Sequence, residues 1–501
     1  MTETSEQEDR QPDSGSDPRE EGALRRRIGL LLGPLLLAGS LLVPAPAGLE
    51  SEAWRATGMA LLMATWWITE AIPIPATALL PLVLIPALGL GEVDAAAAPF
   101  ANPIIFLFLG GFLLAQAVQR CGLHRRAALH LLTKIGSEPA HLVGGFMLVT
   151  ALLSMWLSNT ATAVLMLPVG LSVVGLVMRK DPRAPEDPRD LNFSVALMLG
   201  IAYGATIGGA ATLIGTPPNA ILAGFMADEY GVDVGFARWM LIGVPLSAIT
   251  LPVAWFLLTR LLYPVGRRTI PKAAVVIRTE LEGLEAPSTA ERRVALVFVL
   301  TALAWVARPA LEGIFPWLTD AGIAIAAALV LFMLPVDGER HRFALDWPTA
   351  RSIPWDVLIL FGGGLSLAGA ITRSGLADWI GAALGGIGAL PLLLIMIIVT
   401  LVIIFITELT SNTASAAAFL PVVASLAGEL GQDPLLLAIP AALGASCAFM
   451  LPVATPPNAV VFGSKMVRIP QMARAGLVLN LLFSLAIPLL AFLLVTRIFS
   501  G

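Results

Sequence analysis

Apolar runs of about twenty residues recur along the chain between short polar segments, with no sustained period-two alternation. About 20 residues rising ~1.5 Å each cross a ~30 Å hydrocarbon core, so the pattern predicts an all-α polytopic membrane protein and excludes a barrel. Spans are expected near 28–48, 54–69, 73–90, 99–119, 239–263, 291–310, 319–336, 353–373 and 474–499. Four apolar segments are longer than one crossing needs: 139–178, 192–230, 390–428 and 434–464. Each of these is interrupted within by polar residues or paired prolines.

The interruptions come in two kinds, each occurring twice. Ser158-Asn159-Thr160 and Ser411-Asn412-Thr413 lie inside 139–178 and 390–428. A buried amide with two hydroxyls is costly in hydrocarbon unless something there uses it. One such tripeptide would suit helix-to-helix hydrogen bonding, but two in matching surroundings weaken that reading. Thr-Pro-Pro-Asn at 216–219 and 455–458 interrupts the other two segments. Paired prolines remove two backbone donors and unwind the helix. A plain structural kink explains either motif alone; as a pair they predict carbonyls facing inward, which suit a hard cation such as sodium. The tripeptides complement this, since an Asn amide can turn oxygen to a cation or nitrogen to an anion. N–H groups where an arm restarts welcome an anion.

A repeat relates the halves. FLGGFLLAQAVQRCGL (108–123) aligns with FGGGLSLAGAITRSGL (361–376) at an offset of 253, which also separates Ser158 from Ser411. IGTPPNAI (214–221) answers VATPPNAV (453–460) at an offset of 239. With one forty-residue unit based on each side of the membrane, the halves have opposite orientation, as in inverted-repeat transporters whose substrate binds near the midplane.

Charge assigns the sides. Arg25, Arg26 and Arg27 precede the first span, and counting from a cytoplasmic N-terminus leaves 26 of the 31 basic residues inside. The count gives about eleven crossings if 139–178 and 390–428 are re-entrant hairpins. It favours neither hairpins nor paired spans, but the first unit has no Asp, Glu, Lys or Arg and the second only Glu408. Tips that stop inside the protein are therefore expected. Residues 1–27 are polar and acidic and are expected to form a disordered cytoplasmic tail. The N-terminal half covers 28–263, a cytoplasmic linker 264–290, and the C-terminal half 291–501. The composition is 57% hydrophobic and 13% charged, with a net charge of −4 that gives no sign of a nucleic-acid partner. Cys121 and Cys447 are too far apart in sequence to support a disulfide framework or thiolate metal site. Glu70 and Glu408 are expected to bond backbone N–H groups near helix ends, a role as proton carriers being the alternative. No Lys or Arg lies in the four interrupted segments, so sodium would have to neutralise a bound anion.

At this level WWITEAIPIPATALLPLVL (66–84), the two Ser-Asn-Thr tips, TELTSNTASAAAFLP (407–421) and the two Thr-Pro-Pro-Asn segments resemble the divalent anion/sodium symporter (INDY-like) family, from about residue 54 to 480. The resemblance implies a homodimer in the bilayer, a scaffold and a mobile transport domain, two re-entrant hairpins and elevator-like movement. Implied substrates are C4-dicarboxylates, citrate or sulfate, moved with sodium across the cell (inner) membrane. By position it implies a first sodium site at Ser154, Ser158, Asn159 and the Gly215 backbone, and a second at Thr407, Thr410, Asn412 and the Ala454 backbone. Substrate carboxylates would meet Asn159, Thr160, Ser411, Asn412 and Thr413, with Thr216, Pro217, Thr455 and Pro456 lining the rest. A backbone ligand is expected to tolerate the change from Gly215 to Ala454. No cofactor beyond sodium is implied. The competing readings are a dicarboxylate exchanger or sulfate/citrate carrier on the same fold, a passive channel, and an intramembrane enzyme with a serine nucleophile. Neither Ser158 nor Ser411 has a His or Lys nearby in sequence to act as base, and Glu408 has no counterpart beside Ser158.

Overall fold

A computed structural model describes residues 18–178, 188–267, 269–337, 342–384 and 389–499. The described residues are all-α apart from one small ribbon, Pro335–Asp337 antiparallel to Arg342–Phe343. Among the described residues, seven helices are long and apolar enough to cross a membrane. The outbound arms Pro139–Ser154 and Leu392–Thr407 are shorter, with 16 residues each. At ~1.5 Å per residue they reach roughly 24 Å, less than a ~30 Å core.

Both forty-residue units turn at their tripeptides. Pro139–Ser154 is followed by Asn159–Met178, and Leu392–Thr407 by Asn412–Glu429. The two Thr-Pro-Pro-Asn segments divide their helices as Pro188–Gly209 then Pro217–Tyr230, and Leu435–Ser446 then Pro456–Gly463. In both, the prolines open the second piece, where the first N–H groups have no intrahelical acceptor in any case.

Packing crosses between the halves. Pro217–Tyr230 packs on the return arm of the second hairpin, and Pro456–Gly463 on that of the first. Pro188–Gly209 lies so close to Pro139–Ser154 that a Cβ at Gly204 would fall 2.7 Å from Met147 O, and one at Gly208 would strike the Ala151 backbone. Small residues permit this approach where lipid gives no hydrophobic drive. Ile469–Phe499 packs along Leu392–Thr407, Leu435–Ser446 and Phe236–Phe256.

Four expectations need correction or extension. The first helix is Pro18–Leu42, so residues 18–27 are helical, not disordered. Ala23, Leu24 and the three arginines are good helix formers and carry the helix beyond the bilayer-length stretch. Residues 1–17 of the expected tail, and the polar-loop residues 179–187, 268 and 338–341, lie outside the described residues. The span expected at 73–90 is two short helices, Ile74–Thr77 and Leu80–Ala87, in a stretch rich in proline. The linker 264–290 contains a helix, Pro271–Glu282, that buries Ala273 and Ile277. Glu70 does not serve backbone N–H groups: it ends Ser51–Thr69 in a left-handed turn at φ 48°, with its side chain exposed 3.9 Å from Arg26.

Candidate functional site

The two tips and the two breaks line one cavity of about 720 Å³, within the ~300–1,000 Å³ range of small-molecule sites. Ser158, Asn159 and Thr160 meet Ser411, Asn412 and Thr413 across it. Gly215, Thr216 and Pro217 and their counterparts Ala454, Thr455 and Pro456 complete the lining. Four helices therefore begin at this cavity, at Asn159, Pro217, Asn412 and Pro456. Each N-terminus carries roughly half a positive charge; the tip helices also present first-turn N–H groups without intrahelical acceptors, whereas the other two open on Pro217-Pro218 and Pro456-Pro457, which have none.

Behind the tips, oxygens gather with few protons. Ser154, fully buried, donates its hydroxyl to Asn159 Oδ1 at 2.5 Å. Asn159 lies against Gly209, where a Cβ would fall 2.5 Å from Oδ1. In the second half, Thr407 Oγ1 lies 2.7 Å from Asn412 Oδ1 and 2.9 Å from Ala445 O. One hydroxyl proton serves one acceptor at a time. A cation would be shared by such oxygens where a proton cannot be. Ser154, Thr407 and Thr413 are buried, whereas Ser158 is exposed and its hydroxyl accepts from Ala161 N at 3.3 Å. Thr410 turns its hydroxyl elsewhere, to Ile406 O at 3.0 Å and Ser415 Oγ at 2.6 Å. Thr216 reaches Ser446 Oγ of the other half at 3.4 Å, and Thr455 accepts from Asn458 N at 3.3 Å.

The breaks are held open by a matched pair that motif reading had passed over. Asn219 Nδ2 donates to Thr212 O at 2.9 Å and Gly209 O at 3.4 Å. Asn458 Nδ2 donates to Leu451 O at 3.0 Å and Ala448 O at 3.2 Å. The spacings, seven and ten residues back, are the same in both halves. Both amides are fully buried, and among the described residues both Oδ1 atoms lack a hydrogen-bond donor. The asparagine was visible in each motif, but its partners become apparent only once the break is folded.

The Gly215/Ala454 difference also has a packing side, which the expectation about the Ala454 backbone did not address. A Cβ on Gly215 would come within 2.9 Å of the Gly209 carbonyl carbon and α-carbon, closer than packed atoms approach, so that break depends on glycine.

Glu408 matches its expected role. Its carboxylate, 3% exposed, accepts from Phe449 N at 2.7 Å, Met450 N at 2.8 Å, Leu451 N at 3.1 Å and Asn480 Nδ2 at 2.8 Å. A buried carboxylate persists when several N–H groups solvate it. The cavity also takes in a basic side chain that the interrupted segments lack, Arg25 of the N-terminal helix.

Comparison with known proteins agrees with this architecture. Residues 26–498 match the family profile described as the sodium:sulfate symporter transmembrane region. The chain is 41% identical over 474 residues to a Staphylococcus saprophyticus protein named sodium-dependent dicarboxylate transporter SdcS, covering 93% of this chain and 91% of that one. It is also 41% identical over 471 residues to a Staphylococcus aureus protein of the same name, covering 93% and 90%. Its fold is similar to the crystal structure of the Alcanivorax borkumensis YdaH transporter, with a TM-score of 0.54 and 16% identity, over 94% of this chain and 97% of that one.

Proposed function

Because the chain belongs to the sodium:sulfate symporter family, we propose that it is a secondary transporter carrying a small dianion, a C4-dicarboxylate such as succinate, together with sodium. The observation that carries this reading is the convergence of four helix N-termini on a cavity lined by two Ser-Asn-Thr tips. Peptide dipoles offer positive potential to carboxylates, while the proton-poor oxygens behind each tip offer lone pairs to cations. The names of the 41%-identical relatives support both ligands.

On this reading Ser154, Ser158, Asn159 and the Gly215 carbonyl hold one sodium, and Thr407, Asn412 and the Ala454 carbonyl a second. Thr410, whose hydroxyl bonds Ile406 O and Ser415 Oγ, serves that second site by shaping the tip. Asn159, Thr160, Ser411, Asn412 and Thr413 receive the carboxylates, with Thr216, Pro217, Thr455 and Pro456 around them. Sodium supplies coupling because a dianion in a low-dielectric cavity is disfavoured until cations join it. The halves 28–263 and 291–501 form an inverted repeat. The hairpins 139–178 and 390–428 and the broken helices 192–230 and 434–464 move as a transport domain, in elevator fashion, against a scaffold. The protein works as a homodimer in the cell membrane with its N-terminus in the cytoplasm. Arg25, Glu70 and Ser352 line the cavity and lie on segments the charge count assigns inside, so the cavity opens to the cytoplasm.

The test is uptake by the purified full-length protein in liposomes, offered labelled succinate, citrate or sulfate with or without an inward sodium gradient. Succinate uptake that needs the gradient is expected. Uptake indifferent to sodium overturns symport, and uptake that requires internal dicarboxylate makes the protein an exchanger.

A further inference from the structure

Among the described residues lining the cavity, Arg25 is the one basic side chain and Glu70 the one acid. Glu70 faces Arg26, at 3.9 Å. Arg25 sits differently: its Nη2 donates to Ile68 O in the last turn of Ser51–Thr69, and to Leu409 O, inside the second tip, at 3.4 Å. Its helix is tied to Ser51–Thr69 by Trp66 Nε1 donating to Gly29 O at 3.0 Å. The guanidinium is thus held by two carbonyls from separate elements, one in Ser51–Thr69 and one in the second tip, both at the cavity that Arg25 lines. Arginine has five N–H donors and Nη2 carries two of them. Among the described residues, the Nε and Nη1 donors have no partner, and the side chain is exposed.

We propose that Arg25 is an anion-guiding residue at the cytoplasmic mouth: two carbonyls fix its Nη2, and its remaining donors meet a dicarboxylate passing between the cytoplasm and the tips. The physical need follows from the site. The deep part of the cavity attracts the anion with helix termini, whose influence fades beyond the first turn, so a dianion at the mouth is outside their reach. A fixed charge there raises the local anion concentration and the rate of entry, and salt weakens the effect. Because the scaffold side (Ile68) and the second tip (Leu409) both hold Arg25, the guide is in place while the tip stands at the inner mouth. It loses the tip carbonyl when the tip moves away, so its influence is confined to one face of the membrane. Its bland alternative, a topology-setting charge alone, gives no reason for contact with the tip.

The proposal rests on the transport reading above and is tested separately from it. Wild type, Arg25→Gln and Arg25→Lys are compared in right-side-out and inside-out membrane vesicles with labelled succinate at saturating sodium. Arg26 and Arg27 keep the basic run in every variant, and thermal unfolding is followed in parallel. For Arg25→Gln, the KM at the cytoplasmic face is expected to rise about 5–10-fold at low ionic strength, within the range that electrostatic steering spans. That gap should shrink as choline chloride is added, with the outer-face KM and unfolding temperature unchanged, while the maximal inward rate falls by the same factor because release into the cytoplasm is slowed equally. Arg25→Lys should recover most of the loss. A cytoplasmic KM that does not move, or one that moves equally at both faces, overturns the proposal. A wild type that carries no anion at either face overturns the transport reading itself, and the guide with it.

Discussion

The two halves of the site reach similar geometry by different means. In the first, the tip is joined to the break by a neutral tie, the Thr212 hydroxyl donating to Met155 O. The rest is close packing: glycines at 204, 208, 209 and 215 let backbones touch. In the second, Ala448 and Ala454 stand where the first half has Gly209 and Gly215, and a carboxylate takes over. Glu408, at the position of Met155 in the 253-residue repeat, gathers three backbone N–H groups of the break and one amide. A tip can thus be fixed to its unwound neighbour by removing side chains or by adding a charge. Packing tolerates no added atom, whereas a buried carboxylate tolerates no lost donor.

Four experiments set these solutions against each other, ordered by the difference expected between halves. Glu408→Ala strands four donors, so a loss on the order of 3 kcal/mol and abolished uptake are expected, against about 1 kcal/mol for Thr212→Val. Chemical unfolding in detergent reads both, and equal losses would remove the contrast. Next, Gly215→Ala should raise the sodium concentration for half-maximal uptake about 10-fold, a cost of ~1.4 kcal/mol. Its mirror, Ala454→Gly, should lose no more than about 1 kcal/mol of stability. Sodium titrations that cannot tell the two apart would show that the first break has room to spare.

A smaller difference is expected between Asn159→Ala and Asn412→Ala. Each should weaken both sodium and succinate binding, by about 5–10-fold or roughly 1 kcal/mol. Isothermal titration of each ligand checks this, and an effect on succinate alone would mean that the amide is not shared. Least of all should Asn219→Ala differ from Asn458→Ala. Each deletes two hydrogen bonds of the same spacing, so their stability losses should agree within about 0.5 kcal/mol. A clear inequality would mean that the breaks are held differently after all.

Much of this site can be read in the sequence because the bilayer makes polarity conspicuous. Ser158-Asn159-Thr160 and Thr216-Pro217-Pro218-Asn219 stand out from apolar surroundings, so tips, breaks and repeat offsets can be found without coordinates. What stays hidden depends on distance along the chain. Arg25 lies 43 residues from Ile68 and 384 from Leu409, and by charge alone it reads only as a topology marker. Glu408 can be expected to find N–H donors, but not that they belong to residues 449–451. The Arg308 bridge to Asp233 at 2.8 Å and Asp320 at 3.1 Å joins three separate loops and helix ends in the same way. Gly215 and Ala454 look interchangeable as letters, and only the position of Gly209 makes one of them obligatory. The end of the acidic tail is blurred for another reason: composition marks where burial stops, whereas a helix continues for as long as its residues favour it.

The four helix ends around the cavity have a consequence for how uptake responds to acidity. A peptide dipole has no proton to lose, and the tips contribute only amides and hydroxyls, so their share of the attraction offered to an anion does not change across the physiological pH range. The cargo is then a source of pH dependence that these elements lack. On the proposed transport reading, acidification turns a dicarboxylate from dianion to monoanion, and with it goes half of the charge that such a site and its sodium ions would match. On that reading the tips and helix ends respond to the ionisation state of the cargo without titrating themselves.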